Sequence, residues 1–251
     1  MQFDDYHNFY LETKASSWGE VQLEDISKLL NSVIKDFYSN FFGCKINTSS
    51  VIVLKTTLDF PEIIKDKNHV LIYLCTCDRR WSQYSFQFAH ELCHFIIDND
   101  FPPRNDKFGW FEESLCELAS LYTLNKMSIT WQTNPPYCNW IEYSMSLKEY
   151  VDERVYRSEN SITKPFSEWL NDYLPELYAN RYDREKNLII AIQLLPIFTF
   201  NPDLWKIVLC LKNIIITDDM TLEDYLFEIK KLIPTNLFSS FDKIIHLMII
   251  E

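Results

Sequence analysis

Between Leu23 and Phe42, apolar residues return at Ile26, Leu29, Leu30, Val33 and Phe37. That three-to-four spacing lays one apolar stripe along a helix. The pattern then changes. SSVIVLKTTLDF, residues 49–60, is rich in β-branched residues and is followed by Pro61, which predicts a strand ending there. HVLIYLCTC, residues 69–77, predicts a second strand, apolar enough throughout to be covered on both faces. A charged turn at Asp78–Arg80 and a candidate cap at Ser82 precede a helix containing FQFAHELCHF, residues 86–95. DNDFPPRNDKFG, residues 98–109, interrupts it with two prolines and a glycine among polar residues. Helical spacing resumes in WFEESLCELASLYTLNKM, residues 110–127.

Beyond TNPPYCNW the pattern is helical throughout, with helices separated by proline-containing turns. The clearest are KPFSEWLNDYLPELY, REKNLIIAIQLL, DLWKIVLCL and TLEDYLFEIKKLI. The fold class expected is therefore α+β: a short sheet with two motif helices over residues 1–138, then a helical subdomain over 139–251. The two can also form one continuous body.

Composition narrows the function. Three glycines in 251 residues argue against a phosphate-cradling loop or a dinucleotide fingerprint. A net charge of −12 disfavours nucleic acid, which needs a basic surface, and favours neutral or basic partners. No apolar run reaches the roughly twenty residues of a membrane span. The acidic start MQFDDYHNFYLETK is no targeting signal, so a cytoplasmic location is expected. Seven cysteines without repeated spacing read as reduced thiols, Cys75 and Cys77 included. Trp169 and Trp205 read as core anchors.

The chemistry lies in HELCH. His90 and His94 stand four residues apart, so both imidazoles leave one helix face and can bind one Zn2+ ion. Glu91, beside them, is placed to act as general base and acid on a metal-activated water. The plain alternative is a solvated helix face opposite Phe88, Leu92 and Phe95. Phe86 and Ile97 fall on the histidine side, however, and predict a helix buried nearly all round. Cys93 points off the histidine face and reads as a packing thiol, and His7, His69 and His246 have no partner pattern.

A third ligand must come from another element. Glu113 and Glu117 repeat the four-residue spacing on the next helix, near Ser120. Two histidines and one glutamate leave an open position, as catalytic zinc sites do. Glu113 is assigned as ligand, Glu117 as the outer acid that receives an imidazole N–H, and Glu112 as the alternative ligand. For stabilising a developing oxyanion, Tyr143, Tyr150, Arg154 and Tyr156 are all open.

HELCH followed by EESLCE resembles the gluzincin branch of the zincin-like metalloproteases. Residues 25–126 are similar to the compact family typified by the ImmA and IrrE proteases, which commonly carry Gly where Cys93 stands. The resemblance implies a zinc metallopeptidase acting on a peptide or protein substrate, with Glu113-x-x-x-Glu117 as ligand and outer acid. It also implies that VLIYLCTC is the edge strand along which an extended substrate lies. The longer metzincin pattern fails, since its Gly and third His fall at Ile97 and Asp100. A catalytically silent binding or regulatory module is the alternative function. The helical half is expected to cover one side of the cleft.

Overall fold

The computed structural model describes residues 1–14, 18–66, 68–97 and 107–250. The fold is α+β, as the sequence pattern predicts. Four short strands make one mixed sheet: β1 (Phe9–Leu11), β2 (Val51–Lys55), β3 (Glu62–Lys65) and β4 (Val70–Leu74), in spatial order β1-β2-β4-β3. β1 and β4 run parallel to β2, with Val51 opposite both Phe9 and Val70, whereas β3 returns antiparallel along β4.

Two sheet expectations need correction. β4 alternates buried and half-buried residues, so only Val70, Ile72 and Leu74 face the core. It ends at Leu74, leaving Cys75 and Cys77 beyond it. Nor is β4 an edge. Its outer side is taken by β3, a strand too short and polar to stand out in the sequence, and β3 is the exposed edge.

The helices are α1 (Leu23–Tyr38), α2 (Trp81–Ile97), α3 (Gly109–Thr130), α4 (Tyr143–Val155), α5 (Phe166–Ala179), α6 (Arg184–Phe200), α7 (Leu222–Leu232) and α8 (Phe238–Met248). α1 is the amphipathic helix predicted, with Glu24 and Asp25 in its first turn and Lys35 in its last, as the helix dipole favours. Ser82 lies inside α2 rather than capping it, and its backbone N–H donates to the Tyr143 hydroxyl over 3.3 Å. Pro175 and Pro196 sit within α5 and α6, not in turns, and DLWKIVLCL falls largely in a 3-10 run, Pro202–Leu209. The predicted break at 98–109 lies outside the described residues up to 106.

α2 and α3 form the centre. α2 packs on the sheet and on α1, and α3 lies between α2 and the helices α4 and α6 of the C-terminal half. Buried apolar residues from both halves make one cluster, with Trp205 and Trp169 in it. Among the described residues, no single helix is long and apolar enough to cross a membrane.

The start of α2 is fixed by a close backbone approach. Asp78, at φ 58°, donates its N–H to Trp18 O and accepts the Glu20 N–H on its carboxylate, each over 2.8 Å. Gly19 must be glycine there, because its φ is +81° and a Cβ would lie 2.1 Å from Asp78 Oδ1.

Candidate metal centre

α2 is buried nearly all round, as the placement of Phe86 and Ile97 predicts. The side facing α3 is lined with charge. His90 Nε2 and His94 Nε2 lie 3.4 and 3.5 Å from the same oxygen, Glu113 Oε2. The opposite ring edges meet other carboxylates: His94 Nδ1 is 2.8 Å from Glu112 Oε1, and His90 Nδ1 is 3.9 Å from Glu117 Oε1. Each imidazole is thus held between two glutamates of α3. Ser120 ties the helices together by donating to Phe86 O over 2.7 Å.

This arrangement fits a metal ion by a simple test. If Nδ1–H of His94 donates to Glu112, the lone pair on Nε2 faces a carboxylate oxygen. Two facing lone pairs repel unless a positive charge lies between them. A proton or a cation supplies it. Ligands about 2.0–2.1 Å from a tetrahedral zinc stand about 3.3–3.4 Å apart, close to the two histidine–Glu113 separations. Glu112, the alternative ligand in the sequence reading, instead lies on the Nδ1 edge of His94, where it orients the ring.

His90, His94 and Cys116 also form a group able to hold a metal ion, with one donor atom from each lying within 4.8 Å of the others. Burial and the neighbouring Cys93 thiol, followed by the nearby carboxylates, push the Cys116 thiol well above its ordinary pKa. This direction belongs to the metal-free protein, because a coordinating cation deprotonates a thiol and keeps an imidazole neutral. Glu113 is the opposite case. Burial pushes its carboxyl up, but His94 and His90 outweigh burial and hold it well below the usual range. His94 is pulled down by burial yet held well above its ordinary value by Glu113 and Glu112.

Glu91 differs from the other three glutamates. It is 3% exposed, and among the described residues it has no hydrogen bond or ion pair. Burial is the main cause holding its pKa up, against the pull of His90 and His94. A desolvated carboxyl poised toward neutrality suits proton transfer. Glu117 is likewise raised by burial.

These groups open onto a cavity of about 610 Å³. Part of its lining comes from the β2–β3 connection and β3, including Asp59 and Glu62, and part from the C-terminal half, with Tyr150 and Arg154 of α4 and Arg184 and Asn187 of α6. Of the oxyanion candidates, Tyr150 and Arg154 line this space. Tyr143 is engaged with Ser82, and Tyr156 is 78% exposed elsewhere. Cys93 packs against α3, its Sγ 3.9 Å from Leu115 O. His7, His69 and His246 are exposed, and all seven cysteines are free.

Sequence reasoning missed Arg181. This guanidinium is 5% exposed and spans the two α3 carboxylates, with Nε 3.2 Å and Nη2 3.1 Å from Glu113 Oε1 and Nη2 3.6 Å from Glu112 Oε2. It occupies the Glu113 oxygen that does not face the histidines. Asn187 braces it, donating to Arg181 O over 2.7 Å and accepting from Ser114 of α3. The only sequence signal is the charge-dense run RYDREKN, residues 181–187, at the start of α6. Comparison with protein-family models, curated proteins and solved structures finds no match for this chain.

Proposed function

We propose that the chain is a zinc-dependent peptidase, with His90, His94 and Glu113 holding the metal and Glu91 moving the proton. The observation that carries this reading is the convergence of both Nε2 atoms on one Glu113 oxygen, beside an unpaired buried Glu91, at the floor of a cavity. Zinc in such a site supplies Lewis acidity toward the scissile carbonyl and makes water a usable nucleophile near neutral pH. The residues of the chain do the rest. Glu91 takes the proton of the attacking water and returns it to the leaving amine. Glu112 and Glu117 orient the imidazoles, and Arg181 reserves one Glu113 oxygen so that the other faces the histidines. β3 pairs only with β4 among the described residues, so its outer edge can receive an extended peptide as a further strand. Glu62 and Ile63 of β3 line the cavity at that edge.

The test is cleavage of a pool of terminally blocked peptides, read by mass spectrometry. Cleavage should disappear with a chelator and return with zinc. Glu91→Gln should lower the rate by about 10²–10⁴-fold with bound zinc unchanged, because Glu91 is not a ligand. Equal cleavage by Glu91→Gln, or no cleavage by the zinc-loaded native chain, would favour a binding module instead.

A further inference from the structure

The charge of the cleft is divided between its walls, and opposite to the charge of the whole chain on one of them. The β3 wall carries Asp59 and Glu62, whereas the helical wall carries Arg154 and Arg184. Arg154 is half-buried. Its guanidinium lies 3.6 Å from the Tyr150 ring centroid and 4.8 Å from that of Phe86, and Nη1 donates to Tyr150 O over 3.1 Å. Stacking and that one bond fix the group while leaving its other N–H donors available. Arg184, in the first turn of α6, is exposed.

Among the described residues, neither arginine has a carboxylate within ion-pair distance. Arg181 makes the contrast, being consumed by Glu112 and Glu113. Glu117 feels both arginines and Glu91 feels Arg184 through space, but neither carboxylate comes within hydrogen-bond or ion-pair distance of them. Two cations from different helices, one of them stacked on aromatic rings, thus line the same cavity with no carboxylate within ion-pair distance.

We infer that the helical wall is a subsite for an acidic side chain, with Arg154 and Arg184 as its specificity determinants, so that the preferred ligand is an extended peptide bearing Asp or Glu beside the reacting bond. This rests on the peptide-binding reading of the cleft. A peptide added along β3 would turn alternate side chains toward the helical wall, where a carboxylate gains charge-assisted hydrogen bonds. The net charge of −12 points the other way, toward basic partners. Exposed charges more than about 8–10 Å away are largely screened at physiological salt, and the charged groups of the helical wall itself, Arg154 and Arg184, are both cationic.

The experiment uses the full zinc-loaded Glu91→Gln chain and two terminally blocked peptide pools, one with a central Glu and one with a central Lys. Affinity for the Glu pool should exceed that for the Lys pool by about tenfold or more. The preference should shrink with added salt, and fall to within about twofold in the Arg154→Gln/Arg184→Gln form while bound zinc stays constant. Equal affinity for both pools, or a preference that survives the double substitution, overturns the subsite. Circular dichroism and zinc content establish that the double variant is folded, and Arg184→Gln alone, at an exposed position, should still lower the preference several-fold. Cleavage by the native chain separates the two claims: acidic peptides bound but never cut would sink the peptidase and keep the subsite. Cutting without acidic preference would do the reverse.

Discussion

The two ends of α3 show two ways of filling an interior. Glu113, Glu117 and Leu124 lie on nearly the same helical face, since separations of seven and eleven residues are close to whole numbers of turns. At the first end that face buries carboxylates against His90, His94 and Arg181. Three turns on it buries Leu121, Leu124 and Met127, and the neighbouring Tyr122 ring stands 5.3 Å from Trp205. The apolar end is stabilised by area removed from water and by close packing, which any well-shaped apolar residue supplies approximately. The charged end is different. Each buried ion is tolerable only because a particular partner faces it, so removing one member strands the others. One helix therefore carries a region whose residues are replaceable in kind and a region whose residues are not.

That contrast predicts how the ends fail. Leu124→Ala should cost about 2–5 kcal/mol in urea unfolding, equally with or without zinc, because the cavity it leaves has no bearing on the histidines. Arg181→Met removes the cation shared by Glu112 and Glu113 and should cost about 3–5 kcal/mol in the metal-free chain. Zinc should recover a large part of that loss, since a second cation then stands beside Glu113. A zinc-insensitive Arg181→Met, or a zinc-rescued Leu124→Ala, would dissolve the distinction.

The smallest effect belongs to Asp36, a buried carboxylate at the apolar end that accepts the Thr130 hydroxyl over 2.8 Å. Burial raises its pKa despite Thr130, Lys126 and Lys35. A carboxyl raised on folding favours its neutral form in the native state, so its contribution is fully present below the ordinary Asp value of 3.8 and is lost as pH rises through the folded value. Asp36→Asn should therefore match or exceed the native chain at pH 7, by up to about 1 kcal/mol, and lose that advantage as pH falls toward 4. Urea midpoints across pH measure it. A neutral-pH loss of stability in Asp36→Asn would show the charged form to be the stabilising one.

The same contrast explains what the sequence reveals. Periodicity exposes residues that act by burial in a local element, so α1, α2, α3 and the inward residues of β2 and β4 are legible from the hydrophobic pattern alone. The candidate ligands His90, His94 and Glu113 are legible for a related reason: helical spacing puts them on facing sides of adjacent helices. β1 and β3 are not, because three or four residues become a strand only through a partner distant in sequence, and EIIK carries little apolar signal of its own. The family resemblance, with no such strand in view, puts the edge at β4, where the fold places β3. Arg181, Arg154 and Arg184 stay silent as parts of one site, since nothing local distinguishes a buried or cleft-facing arginine from a solvated one. Between Glu112 and Glu113 the sequence offers a preference without a geometry. The structure separates them by which edge of the imidazole each one meets.

The decisive measurement is zinc content, by elemental analysis, of three purified chains: native, Glu113→Ala and Cys116→Ala. The geometry predicts about one zinc per chain in the native and Cys116→Ala forms and its near-complete loss in Glu113→Ala. Retention of zinc by Glu113→Ala with loss from Cys116→Ala would move the centre onto the thiol. No zinc in any of the three, after loading and washing, would mean that the buried histidines are held by protons and carboxylates alone.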